Sequence, residues 1–205
     1  MLTLCHAPGA CSEGIVYLLN EIGAEFAIRR IALYAGDQNT ADYGAINPKR
    51  KVPALILPDG STVTEFPVIA QYIARTHPDA GLWPDDLMQQ VRIMEAMDYI
   101  TATVHMRAFT FVIAPQRFVA DEAGQAALRA YGEAEVAKGF ALLSEMLGDK
   151  EYLFGDFSVA DAALFFVLNW ADGRCKLPMP ANLDACFRRM QARPAWEKTL
   201  PELKR

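Results

Sequence analysis

Two hydrophobic rhythms run along this chain, and one gives way to the other near residue 80. Leu2 to Cys5 is a short apolar strand, broken by Ala7-Pro8-Gly9-Ala10. From Cys11-Ser12 onward, Ile15, Val16, Leu18, Leu19 and Ile22 recur at helical spacing, and Gly23 suits the residue just past a helix end. Phe26 to Leu33 alternates as a second strand. Strand, helix, strand in that order needs a crossover, which predicts a parallel pair. Tyr34 to Ile46 is a polar connection with one irregular helix. Ala54 to Leu57 is a buried strand opened by Pro53, a residue with no N–H to give to a ladder. Pro58-Asp59-Gly60 turns the chain into a fourth strand at Thr62 to Thr64. A helix from about Pro67 to Thr76 carries Val68, Ile69, Tyr72 and Ile73 on one face.

Past this point the two-residue alternation disappears. His77 to Asp86 holds two prolines, a glycine and three aspartates and punctuates the chain. Helical spacing then predicts segments at 87–113, 122–147, 158–172 and 182–192, with a short piece near 194–199. Ser158-Val159-Ala160-Asp161 is a capping-box-like start, structural in role. The expected organisation is an α/β domain over 1–77 (βαβ-ββα, a mixed four-stranded sheet), a linker over 78–86 and an all-α domain over 87–205.

Composition narrows the partners. Of 205 residues, 52% are apolar and 22% charged, as in an ordinary globular protein with ample core. A net charge of −5 argues against nucleic acid. No apolar run reaches membrane-spanning length, and Met1 to His6 lacks the basic start of a secretory signal. Cys5, Cys11, Cys175 and Cys186 are scattered without a CxxC pair, which reads as reduced thiols in a cytoplasmic protein. Cys5-His6 with Cys11 matches no zinc spacing, so no metal is expected.

The candidate chemistry gathers around residues 49–67. A cis Val52-Pro53 bond would leave the N–H and C=O of Val52 free to pair with an extended peptide, as one more strand would. Thr64-Glu65 stands where a strand gives way to a helix. The N–H groups there favour a carboxylate, and Glu65 offers an acceptor for an amine. Peptide-like pairing beside a zwitterion site suits a small peptide carrying both an α-amine and an α-carboxylate. Cys11 and Ser12 open the first helix, where free N–H groups favour an anion.

Asn47-Pro48-Lys49, Val52-Pro53-Ala54-Leu55, Thr64-Glu65 and Ser158-Val159-Ala160-Asp161-Ala162 are each short, but their order and spacing resemble the cytosolic glutathione transferases over nearly the whole chain. Pro8-Gly9-Ala10-Cys11-Ser12 and His105 resemble the bacterial beta class of that family. The resemblance implies a thioredoxin-like first domain and glutathione as co-substrate. Val52 beside Pro53 would hold the cysteinyl backbone, Glu65 the γ-glutamyl amine and the N–H of Phe66 its carboxylate. Cys11, Ser12 and His105 would serve the sulfur. Asp98 would reach across from a neighbouring subunit, implying a homodimer. Small hydrophobic electrophiles would lie against Phe109, Phe111 and Trp170.

Three positions depart from the family pattern. Phe66 stands where a small polar residue is general, and Arg50 where glycine is frequent. No Lys or Arg occurs between Arg30 and Lys49, so Lys51 is the candidate for the glycyl carboxylate. Three readings follow: conjugation of glutathione to electrophiles, a thiol–disulfide or reductive enzyme using Cys11 covalently, or a non-catalytic binding protein of the same fold.

Overall fold

A computed structural model describes residues 1–204. It holds two compact units, one of Met1–Trp83 together with the segment from Gln191 onward, the other of Pro84–Met190. The linker expected at 78–86 spans the change from one to the other. The terminal segment, which the pattern had assigned to the helical domain, packs with the first unit instead; Arg205, the last residue of that expected domain, lies outside the described residues.

In the first unit, β1 (Leu2–His6), α1 (Ser12–Glu21) and β2 (Phe26–Arg30) form the expected crossover, with β1 and β2 parallel and Leu2 opposite Phe26. A short helix α2 (Ala41–Ile46) leads to β3 (Ala54–Ile56) and β4 (Thr62–Thr64). β3 runs antiparallel to both β1 and β4, giving the order β2-β1-β3-β4. β2 stops three residues short of its expected end because the backbone turns after Ile31, where the Asp37 carboxylate accepts from the Ala32 N–H at 2.9 Å. α3 (Phe66–Thr76) follows β4. Leu4, Leu55, Ile15, Leu18, Leu19, Ile69 and Ile73 are fully buried, so the core lies between the sheet and the apolar faces of α1 and α3.

The unit is completed by α9 (Pro194–Leu203), which packs along α1. It runs past the end expected at 199 and contains Pro201. A proline costs a helix most when it removes an interior bond, and here only the last turn is affected. The Arg193 guanidinium grips the Glu21 carboxylate through two nitrogens, Asn20 donates to Thr199 at 3.0 Å, and Arg30 pairs with Glu202 at 2.9 Å.

The second unit is mostly helical, with two isolated antiparallel bridges, Tyr152 to Gly155 and Phe154 to Asp156, in the loop ahead of its central helix. α4 (Leu87–Asp98) continues as wider π-type turns over Tyr99–Phe109 and ends in α5 (Thr110–Ile113), so the single run expected at 87–113 is one helical stretch with a changed pitch inside it. α6 (Glu122–Leu147) packs against that stretch. A Cβ on Gly132 would stand 2.9 Å from the Ala108 carbonyl oxygen, and one on Gly139 would stand 2.8 Å from Val104, so the close approach needs glycine at both. α7 (Val159–Asn169) is buried from Val159 to Leu168 and is the centre of this unit. It passes into π-type turns over Trp170–Cys175, and α8 (Ala181–Gln191) closes the unit.

α7 begins on a fully built cap. The buried Asp161 carboxylate accepts from the N–H of Leu153 at 2.9 Å, the N–H of Ser158 at 2.8 Å and the Ser158 hydroxyl at 3.0 Å. Burial still raises its pKa to about 6, with those donors pulling the other way.

Candidate functional site

The Val52–Pro53 bond is cis. The loop before it is built to hold that dipeptide in place. The Lys51 carbonyl accepts from the Tyr43 hydroxyl and from the Asn47 side-chain amide, both at 2.7 Å. Asn47 also caps its own loop, accepting from the Lys49 N–H at 3.1 Å through its side chain and from the Arg50 N–H at 2.9 Å through its backbone. Arg50 adopts a left-handed backbone at φ 56°, and its guanidinium donates to the Thr40 carbonyl at 3.1 Å. The glycine frequent at that position is thus replaced by a side chain that fastens the loop to the residue ahead of α2. Tyr43 and Asn47 were not among the site candidates. The signal was present in outline, since an asparagine ahead of proline is a turn former.

Facing this loop is the start of α1. The Cys11 thiol donates to the Val52 carbonyl, with sulfur and oxygen 3.7 Å apart. Burial lifts its pKa to about 12, the Glu13 and Glu65 carboxylates add to the rise, and the N–H groups of Cys11 and Ser12 hold it back. Cys11 is therefore a neutral thiol at pH 7, a donor rather than a resting thiolate. Ser12 lies deeper. Its hydroxyl is fully buried, 2.8 Å from His6 Nδ1, and accepts from the Ala7 N–H at 3.2 Å. Sequence reasoning placed Ser12 beside the sulfur; the structure places its hydroxyl among buried backbone and ring groups.

Glu65 marks the third corner. Its backbone lies at φ 73° and ψ 131°, a conformation that costs a non-glycine residue of order 1–3 kcal/mol and persists where the surroundings impose it. Its carboxylate is exposed and paired with Lys49 Nζ at 2.5 Å. Both side chains are about half exposed, so the pair contributes at most about 1 kcal/mol and yields readily to another cation. Phe66 begins α3 and is 4% exposed, so its ring is withdrawn from solvent and the position offers backbone, not a hydroxyl. Lys51 is exposed beside Val52.

The remaining candidates stand in the second unit. His105 lies edge-on to Trp170 with ring centroids 4.8 Å apart, and to Phe166 at 5.5 Å. Phe109 joins the same group, 5.7 Å from Trp170, and is fully buried. The Trp170 indole N–H is buried with no acceptor in reach. Phe111 belongs to a different aromatic group, with Phe118 at 5.0 Å and Tyr131 at 6.0 Å. Asp98 is exposed at the end of α4. Among the described residues no three His, Cys, Asp or Glu side chains come together as a metal site would need, and no helix is long and apolar enough to cross a membrane.

Comparison with known proteins places this geometry. Residues 9–76 match the family described as "Glutathione S-transferase, N-terminal domain", and residues 116–205 match "Glutathione S-transferase, C-terminal domain". The chain is 33% identical to glutathione S-transferase GstA of Escherichia coli O157:H7, over 97% of each protein. Among solved structures it resembles a glutathione transferase homologue from Sulfitobacter with bound glutathione, with a TM-score of 0.89, 30% identity and 98% of each chain covered. A bacterial beta-class glutathione S-transferase from Sphingomonas chungbukensis superposes with a TM-score of 0.83, at 33% identity over 97% of each chain.

Proposed function

The chain belongs to the glutathione S-transferase family, and from that premise we propose that it conjugates glutathione to small hydrophobic electrophiles, with Cys11 acting as a hydrogen-bond donor to the glutathione sulfur. One observation carries this reading: a neutral, buried thiol at the start of α1 points its S–H at the Val52 carbonyl.

That carbonyl is the acceptor an incoming cysteinyl N–H would take. On binding, the tripeptide backbone pairs with Val52 as an added strand would. The released Cys11 S–H then turns to the glutathione sulfur a short distance away. A donor at that point favours the charged form of the sulfur and lowers its pKa. The positive end of α1 acts in the same direction. The glutathione proton leaves to solvent, and the thiolate forms the new S–C bond to the electrophile while a leaving group such as halide departs with the electron pair of the bond it breaks. Glu65 exchanges Lys49 for the γ-glutamyl amine, Lys49 stays close to that group's carboxylate, and the Phe66 N–H receives it. Lys51 meets the glycyl carboxylate. On the family resemblance, His105 would serve the sulfur, and Phe109, Phe111 and Trp170 would meet the electrophile. As the family resemblance implies, the protein acts in the cytoplasm as a homodimer, with Asp98 contributed from a neighbouring subunit.

A thiol pKa near 12 disfavours the covalent reading, since thiol–disulfide exchange begins with a thiolate. Cys11→Ala tests the choice. We expect saturable binding to immobilised glutathione in both proteins and conjugation of a chromogenic aryl halide reduced by about tenfold, the worth of one hydrogen bond to a charged group. Loss of all conjugation together with a disulfide-exchange activity confined to the wild type would establish the covalent enzyme instead. Absence of saturable glutathione binding in the wild type would leave a non-catalytic member of the fold.

A further inference from the structure

His6 ends β1 with its ring fully buried and both nitrogens engaged. Nε2 lies 3.0 Å from the Glu202 carbonyl oxygen, in the last turn of α9, and Nδ1 lies 2.8 Å from the Ser12 hydroxyl, in the first turn of α1. These contacts fix the direction of every hydrogen. A carbonyl can only accept, so Nε2 carries the proton. Burial lowers the ring's pKa and keeps it neutral, which leaves Nδ1 bare. Ser12 therefore donates to Nδ1, and its oxygen in turn accepts from the Ala7 N–H. The other acceptor near that hydroxyl, the Ala7 carbonyl, is farther away at 3.4 Å.

The result is one directed chain: Ala7 N–H to Ser12, Ser12 O–H to His6, His6 Nε2–H to Glu202. It gives the end of α9 a partner that the helix itself lacks. The last carbonyls of a helix lack partners within it, and His6 supplies one to α9 while Arg30 supplies another at Pro201, at 3.2 Å. At the start of α1 no side-chain cap is made, and the Ser12 hydroxyl bonds to His6 rather than to the N–H groups of the helix's first turn.

We propose that His6 is a positioning residue that couples the C-terminal helix to the first turn of α1 and so fixes where the Cys11 thiol stands. The terminal helix thereby becomes part of the machinery of a site it does not line. The effect on glutathione rests on the function proposed above; the coupling itself does not.

The test uses full-length protein in three forms: wild type, His6→Phe and His6→Gln. Phenylalanine keeps a ring and loses both hydrogen bonds. Glutamine restores a neutral acceptor and donor side by side. Amide hydrogen exchange is read at Glu13 and Gly14, whose N–H groups bond to the Ala10 and Cys11 carbonyls, with the Leu153 amide of the other unit as reference. We expect H6F to speed exchange at Glu13 and Gly14 by about tenfold relative to Leu153 and to raise the glutathione KM by about tenfold with a smaller change in kcat. H6Q should recover most of both. Ser12→Ala cuts the same chain from its other end and should give the same local acceleration, which keeps the test decisive if H6F does not fold. Unchanged exchange at Glu13 and Gly14 in H6F or S12A, or an equal rise at Leu153, overturns the proposal. If wild-type protein binds no glutathione, the functional reading falls while the exchange data still decide the coupling.

Discussion

Two helix starts in this protein are built on opposite plans. α7 begins at Ser158, whose backbone is extended at φ −132° and ψ 176°, and its first turn is closed by a capping box completed by the buried Asp161. α1 begins at Cys11, whose backbone is already helical at φ −57° and ψ −21°, and no side chain caps it. A capping box spends side chains of the protein itself on the donors of the first turn. The start of α1 spends no side chain on its first turn: the N–H groups of Glu13 and Gly14 bond to the Ala10 and Cys11 carbonyls, those of Cys11 and Ser12 act on the Cys11 sulfur, and its positive end still favours an anion beside them. The serine that follows Cys11 is not missing from α1; its hydroxyl has been turned away toward His6. The contrast separates a start closed by its own side chains from one that, on the function proposed above, receives a ligand.

The sharpest way to break that contrast is to open the α7 cap. Asp161→Ala leaves the N–H groups of Leu153 and Ser158 buried without their acceptor. Each such loss costs about 1–3 kcal/mol, so unfolding in urea should show a decrease of roughly 3–5 kcal/mol. A decrease below about 1 kcal/mol would mean that the cap is not what holds α7.

The next effect is a dependence on pH. Burial raises the Asp161 pKa from an ordinary 3.8 to about 6 in the folded chain. The fold therefore binds this proton more tightly than the unfolded chain does. The corresponding stability is fully present below about pH 4 and is lost as pH rises through about 6. Other carboxylates titrate over the same range, so the quantity to follow is the difference between wild type and Asp161→Asn, which cannot take up this proton. That difference should move in favour of the wild type by roughly 2–3 kcal/mol between pH 7 and pH 4. A difference that stays flat, or moves the other way, would show that the three donors outweigh burial.

How much of this contrast could be read from the sequence follows from the range of the interactions. The cap at α7 is local: Ser158 and Asp161 are three residues apart, and the spacing itself names the motif. The succession of strands along the chain was equally accessible, because alternation and the Pro53 and Pro58-Asp59-Gly60 breaks fix where strands begin and turn, but the pairing of β3 with β1 was not among the expectations. The start of α1 was read as a candidate site, but the bond from Ser12 to His6 was not legible, because His6 in turn donates to Glu202, 196 residues away. No local pattern records such a contact. The full length of α9 was hidden for a related reason. Pro201 reads as a stop, and only Arg30 and His6 from the sheet show why the carbonyls of Pro201 and Glu202 are supported. The depth of Phe109 was hidden too, because helical spacing gives a residue's face and not its burial.

A smaller effect tests the serine of the closed start alone. Ser158→Ala removes the hydroxyl but leaves Asp161 to hold the N–H groups of Ser158 and Leu153. Loss of an N-cap hydroxyl of this kind costs about 1 kcal/mol. Urea midpoints at constant slope measure it, and a cost approaching that of Asp161→Ala would show that the hydroxyl, not the carboxylate, organises the cap.

The smallest expected effect comes from putting the same residue type at both starts. Cys11→Ser gives α1 the side chain that caps α7. Were α1 merely a helix that lacks a good capping residue, serine should stabilise it by about 1 kcal/mol. Capping by a side chain, however, needs extended backbone so that the hydroxyl can turn back to the N–H two or three residues on. Cys11 is helical in φ and ψ, and its side chain is directed to the Val52 carbonyl across the loop. Serine there should inherit that direction and cap nothing, so the urea midpoint should move by no more than about 0.5 kcal/mol in either direction. A gain of a full kilocalorie would mean that the backbone can relax into a cap, and that the start of α1 is open through want of a serine and not because the fold holds it so.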